Sequence, residues 1–219
     1  MKLSLSFLLL AFSVGAQSAW TGIKYYPGWN FFPVQQQTGE ICSFDFPDAS
    51  MDVFYAAFLV ETNASPFSLS NRTVSITFSL ECSSNAVFRY AGEDWWNFPG
   101  LPANARLFFS TVAGYYDKGP YTNYWFHSDW IELSTNTGTA TLSAALNDPV
   151  PWSGGQGEVN SNAFWYASSH VLQVGIAFGG GSFYDIGDAV ADGTATLRLK
   201  SFSIDERVEP PTSLIILSP

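Results

Sequence analysis

The sequence of 219 residues predicts an all-β fold, a two-sheet antiparallel β-sandwich with little or no helix. Two observations carry that prediction. Apolar and polar residues alternate with a period of two along several long segments, as strands with one buried face require. Clusters of Pro, Gly, Asn, Asp and Ser separate these segments at near-regular intervals, and no segment holds an apolar 3.6-residue period for three turns. About ten short strands so arranged favour a sandwich of jelly-roll type, ahead of an immunoglobulin-like sandwich or a closed barrel.

The strongest strand signals are residues 51–60 (MDVFYAAFLV), 72–81 (RTVSITFSLE), 138–146 (GTATLSAAL), 170–178 (HVLQVGIAF) and 193–205 (GTATLRLKSFSID). In the last, Ala195, Leu197, Leu199, Phe202 and Ile204 are apolar, with Thr, Ser, Arg and Lys between them. The phase slips once at Lys200-Ser201, where a bulge would restore it. Weaker strands are expected at residues 19–26, 40–46, 86–90, 105–111 and 128–133. No internal repeat or long linker divides the chain, so residues 17–206 read as a single sandwich domain and residues 207–219, with Pro210-Pro211, as a tail.

Residues 1–16 read as a signal peptide. Lys2 supplies a basic start, a short apolar run follows, and Val14-Gly15-Ala16 offers a small-residue cleavage site, with Ser18-Ala19 as a second position. No segment reaches the ~18 continuous apolar residues of a membrane span. The chain is therefore expected to be secreted. Cys42 and Cys82 are the only two cysteines, and in an oxidising compartment they are expected to form a disulfide. Asn63-Ala64-Ser65 and Asn71-Arg72-Thr73 match the N-glycosylation acceptor pattern; Pro66 after the first makes Asn71 the better acceptor.

Composition narrows the partners. A net charge of −10 argues against a nucleic-acid backbone or an anionic membrane surface. Aromatics make up 17% of the chain and charged residues only 13%, so a well-filled core is available and disorder is excluded for most of the length. The aromatic surplus is uneven. Residues 92–100 set Trp95 and Trp96 beside Glu93, Asp94 and Asn97, and residues 115–127 set Tyr116, Tyr124 and Trp125 beside Asp117 and His127. Sugar rings have apolar faces and polar rims, so flat aromatics edged by carboxylates, amides and phenols suit a glycan. Trp95, Trp96, Asp94, Tyr116, Asp117, Tyr124, Trp125 and His127 are accordingly the candidate ligand-binding residues. The competing explanation for each ring is ordinary core packing.

Catalytic constellations are thin. Glu93, Asp94, Asp117, Asp129 and Glu132 could supply the paired carboxylates of a glycoside hydrolase. His127 with Tyr and Arg partners could serve a polysaccharide lyase. There is no G-x-S-x-G elbow, and Gly179-Gly180-Gly181-Ser182 lacks the lysine and helix of a phosphate loop. No cofactor is called for. The one metal worth carrying is a structural calcium, because Asp185, Asp188 and Asp192 fall in one glycine-containing loop of hard oxygen ligands.

Residues 106–205 resemble the galactose-binding-like jelly rolls, which include many carbohydrate-binding modules of secreted enzymes. The residues that carry the resemblance are FGGGSFYDIG (178–187), between two strands, and the closing GTATLRLKSFSID (193–205). The resemblance implies a last strand that pairs back near the N-terminus, a role in sugar binding, and a calcium shared by Asp205 with Asp45 or Asp48. No catalytic or ligand residue is carried over from it. Three functions are weighed. The chain is expected to be a non-catalytic carbohydrate-binding β-sandwich for extracellular or cell-wall glycans. The alternatives are a secreted carbohydrate-active enzyme and a structural or host-interaction protein without a small ligand.

Overall fold

The structure is a computed structural model and describes residues 20–206 apart from 26–29, 37, 50–53, 114–119, 158, 182–183 and 185. The expected signal segment and tail lie outside the described residues, as do Tyr116, Asp117 and Asp185.

Along the chain the first strands are β1 (Trp20–Tyr25), β2 (Asn30–Phe32), β3 (Cys42–Asp45), β4 (Tyr55–Phe67), β5 (Arg72–Cys82) and β6 (Val87–Tyr90), followed by helix α1 (Ala91–Trp96). Then come β7 (Ala103–Ser110), β8 (Tyr124–Glu132), β9 (Thr139–Ala145) and β10 (Trp152–Gly154). Helix α2 (Ser161–Ser168), β11 (Val171–Gly180), β12 (Asp188–Asp192) and β13 (Ala195–Glu206) complete the order. The larger sheet runs β10-β8-β7-β11-β4-β1-β2, with β12 joining β4 to β6 off that path; the smaller runs β3-β13-β5-β9. All the strand pairs are antiparallel. The expected all-β, two-sheet antiparallel sandwich is what forms, with two short helices between strands.

The core lies between the sheets. Leu59, Leu107, Phe109, Ile176 and Phe178 from the larger sheet meet Phe44, Ile76, Phe78, Leu142 and Leu197 from the smaller one. The phenylalanines interlock edge to face, as Phe44 and Phe46 do with Phe178 at 5.8 and 5.5 Å. The smaller sheet has one wet face, where Ser75 faces Ser143 (2.7 Å between hydroxyl oxygens) and Thr77 faces Thr141 (2.9 Å). Its strands therefore keep the alternation read from the sequence. In β13 the register shifts between Leu199 and Ser201, at the expected bulge. The extra residue returns Phe202 to the inside, where its ring meets Trp20 edge-on at 5.3 Å.

The larger sheet is covered on both faces. Residues that alternate with the core set on the same strands, among them Phe58, Val60, Phe108, Phe126 and Ala177, form a second buried cluster on its outer side. Polar groups are trapped there too. The Arg106 guanidinium donates to Asn104 Oδ1 (2.7 Å from Nη2) and to the Gly181 carbonyl (2.6 Å), and lies 4.4 Å from the centre of the Tyr184 ring. Burial lowers its pKa to about 10, against the pull of Tyr184 and Asp188. Asp188, wholly buried in β12, has a carboxylate with no completed hydrogen bond. Desolvation raises its pKa well above the ordinary 3.8, opposed by the charge of Arg106 and the nearby peptide N–H groups of Gly179 and Asn104.

Three expectations are corrected. Cys42 pairs with Leu199 and Cys82 with Ala195 on opposite sides of β13, so two strand spacings, ~9.6 Å, separate them even before their offset along the strand is counted. That exceeds the reach of a disulfide, and both thiols are free. Burial raises the Cys42 thiol to about 12. Asn63 lies in β4 with its Nδ2, the atom a glycan would join, buried and without a hydrogen-bond partner. Asn71 instead occupies an exposed turn with φ 61°. Third, the expected calcium loop is mostly strand. Asp188 and Asp192 lie four residues apart on extended β12, about 13 Å along it, and no metal-binding group of three side chains occurs among the described residues. Asp45 pairs instead with Thr196, and Asp205 stands opposite Thr73 at the far end of β13, so these carboxylates do not meet either. No described helix is long and apolar enough to cross a membrane.

Two outcomes follow. A reducing agent leaves the midpoint of thermal unfolding unchanged, and a thiol assay on unfolded protein finds both cysteines reactive without prior reduction; a fall of several degrees on reduction would contradict the free-thiol geometry. Asp188 holds its proton to higher pH folded than unfolded, so its contribution is intact below about pH 4 and is lost as pH rises through and beyond the ordinary carboxylate range. Asp188→Asn therefore matches the wild type near pH 4 in thermal melts and gains on it toward neutral pH. A difference that shrinks with rising pH would show the sign to be wrong.

Candidate functional site

Trp95 and Trp96 lie in α1, a single short helix that follows β6 directly. Glu93 and Asp94 sit in its first turn, where the helix dipole favours negative charge. Asn97 ends it in the left-handed region at φ 52°, one of the few side chains that tolerates that conformation. Tyr90, just before the helix, is fully buried and donates its hydroxyl proton to the Phe98 carbonyl, closing the loop over the helix. Its ring occupies the space left by Gly180, where an added Cβ would lie 2.2 Å from the ring. The glycine-rich segment read from the sequence is the end of β11, and it makes room for this anchor.

Against the helix lies a cleft of about 440 Å³. Trp95 forms one wall, its indole edge-on to Tyr55 of β4 at 5.1 Å and 80°. Asp94 accepts the Tyr55 hydroxyl proton on Oδ2 and a guanidinium N–H from Arg89 of β6 on Oδ1 (3.2 Å). Both oxygens are thus oriented by protein donors. Arg89 spends one nitrogen on this contact and is about half-exposed. Ala191 and Asp192, at the end of β12, complete the opposite wall. The pairing of β12 with both β4 and β6 assembles these pieces: Asp188 stands opposite Ala56 and Tyr90, and Ala189 opposite Arg89.

Chemically the cleft offers an apolar ring, a guanidinium with spare donors, and two carboxylates as acceptors. That mixture suits a polyhydroxylated ligand with an apolar face. Asp94 and Trp95 from the expected ligand set and Asp192 from the expected metal set meet here. Tyr55 and Arg89 were missed. Both stand on expected strands, and only the long-range pairing of β4, β6 and β12 brings them to the helix. Trp96 is placed in α1 by its backbone alone.

The second aromatic stretch is corrected. Tyr124 and Trp125 are 1% and 0% exposed, on the outer and inner faces of the larger sheet, so neither offers a ring to a ligand. Trp125 stacks on Phe109 at 6.4 Å and donates its indole N–H to the Thr122 carbonyl (2.8 Å). His127 is also buried. Its Nδ1 accepts from the Asp129 peptide N–H (3.1 Å), its ring meets Trp152 edge-on at 4.9 Å, and desolvation lowers its pKa against the pull of Asp129. Enclosed in this way, the imidazole is not presented to a polysaccharide chain, as the lyase chemistry considered from the sequence would require. The exposed His170 stacks on Tyr166 at 4.4 Å, with Nδ1 2.8 Å from Ser169 Oγ.

No family model matches the sequence, and no curated protein does. Among solved structures the chain is similar to the xylan-binding module CBM15. The match has 14% identity over 82% of this chain and 90% of that one, with a TM-score of 0.40.

The Tyr55–Asp94 hydrogen bond is the tie between sheet and helix that a single atom controls. Tyr55→Phe keeps the ring against Trp95 and removes that tie, and is expected to lower unfolding stability by about 1–2 kcal/mol in denaturant titrations, in line with a hydrogen bond to a charged acceptor. An unchanged stability would mean that α1 is held by Tyr90 and packing alone.

Proposed function

We propose that the protein is a secreted, non-catalytic carbohydrate-binding β-sandwich and that the cleft beside α1 is its glycan site. The observation that carries this reading is the Trp95 ring held by Tyr55 at the edge of a cleft whose remaining walls present Arg89, Asp94 and Asp192. A sugar laid on the indole meets donors from Arg89 and acceptors from both carboxylates at its rim. Asp94, already receiving two protein hydrogen bonds, is fixed in place as an acceptor, which limits the ordering cost of binding. The net charge of −10 keeps polyanions away from the same surface. Residues 1–16 direct export, and Asn71 in its exposed turn is the glycan acceptor of this reading.

The test is retention on a panel of insoluble and soluble polysaccharides, by pull-down and affinity electrophoresis, with release of soluble sugar followed in the same incubations. Binding is expected without release, and Trp95→Ala or Arg89→Ala weakens it by about tenfold or more, the equivalent of about 1.4 kcal/mol. Failure to bind any glycan in a broad panel would overturn the proposal, and sugar release would replace it with an enzymatic one.

A further inference from the structure

The cleft holds more negative charge than its cation offsets. Arg89 is matched to Asp94 at 3.2 Å. Asp192, also on the cleft lining, makes no ion pair or side-chain hydrogen bond among the described residues. The chain as a whole has nine Lys and Arg against nineteen Asp and Glu, so its general field adds to this local excess. A neutral sugar would leave the Asp192 carboxylate with hydroxyl and water donors alone. A uronate would set its charge against the uncompensated Asp192 carboxylate, while the charge of the one guanidinium is already matched by Asp94. An ammonium brings three donors and the missing charge, and a charge-assisted hydrogen bond to a carboxylate is roughly twice as strong as a neutral one.

We infer, building on the proposed glycan cleft, that its ligand class is an amino sugar with a free ammonium group: the ring's apolar face lies on Trp95, its hydroxyls meet Arg89 and Asp94, and its ammonium meets Asp192. The sequence hid this because Asp192 reads as a turn residue before Gly193, and only the pairing of β12 with β6, which sets it opposite Val87, brings it to the cleft that Arg89 also lines.

The test uses short glucosamine oligomers against N-acetylglucosamine and galacturonate oligomers of the same length, titrated into the full chain at low and high salt. The free-amine oligomer is expected to bind about tenfold tighter than its acetylated counterpart, a gap of the size that one charge-assisted hydrogen bond supports. Asp192→Asn closes the gap, while Asp205→Asn, the same charge change on the other sheet, leaves it open. High salt narrows it. Equal affinity for amine and acetamide, a preference for the uronate, or a gap that survives Asp192→Asn overturns the inference. So does a gap closed equally by Asp205→Asn, which would make it a product of net charge. In each of those cases binding that Trp95→Ala abolishes leaves the glycan cleft standing. Absence of binding to every oligomer removes the cleft and the inference together.

Discussion

Burial of the larger sheet on both faces is the constraint from which most of this structure follows. Every residue of β7 is buried, and all but one of β11. A strand in that position cannot leave a polar side chain to solvent, so each one must find a partner inside. Arg106 finds Asn104, the Gly181 carbonyl and the face of Tyr184, whose ring in turn stacks on Phe126 at 5.1 Å. Asp188 finds the field of Arg106 without a completed hydrogen bond. The central strands are thereby closed to ligands, and accessible chemistry is displaced to the margin, where β12 carries β6 and α1 off the edge of β4.

At that margin a helix of less than two turns has little stability of its own. It is held by three side chains from β6 and β4: Tyr90 inserted over Gly180, Tyr55 bonded to Asp94, and Arg89 paired to the same carboxylate. The groups that anchor the helix are also the groups that line the cleft. Under the proposed function, binding and local stability would share residues, which makes a conservative change at Tyr55 more informative than truncation.

The smaller sheet was legible in the sequence and the larger one only in part, for a physical reason. In β5, β9 and β13 one face is wet, so the period of two survives, and the expected segments 72–81, 138–146 and 193–205 match the strands to within two residues. In β8 the residues Tyr124 to His127 are buried in succession, the alternation vanishes, and the stretch reads as an aromatic loop suited to a ligand. β4 runs to Phe67, seven residues past the expected end, through the polar Glu61-Thr62-Asn63. β2 and β10, three residues each, are too short for any period to register, and α1 is too short for a helical one. The cysteine pairing failed for a different cause: an even count carries no position, and the strand β13 that separates the two thiols is a fact of topology. Within the site, Trp95 and Asp94 were visible as composition, whereas Tyr55 and Arg89 carried no local mark.

The bulge in β13 has a consequence for how this chain can vary in length. A strand with period two ordinarily accepts insertions and deletions only in pairs, because a single change turns every later side chain to the wrong face. Here Lys200 is the unpaired residue between Leu199 and Ser201, and its removal would leave Leu199 and Phe202 both still facing inward. Position 200 is thus a joint at which related chains could differ by one residue while both halves of the strand keep their phase. Elsewhere along β13 a difference of one residue would have to be matched by a second.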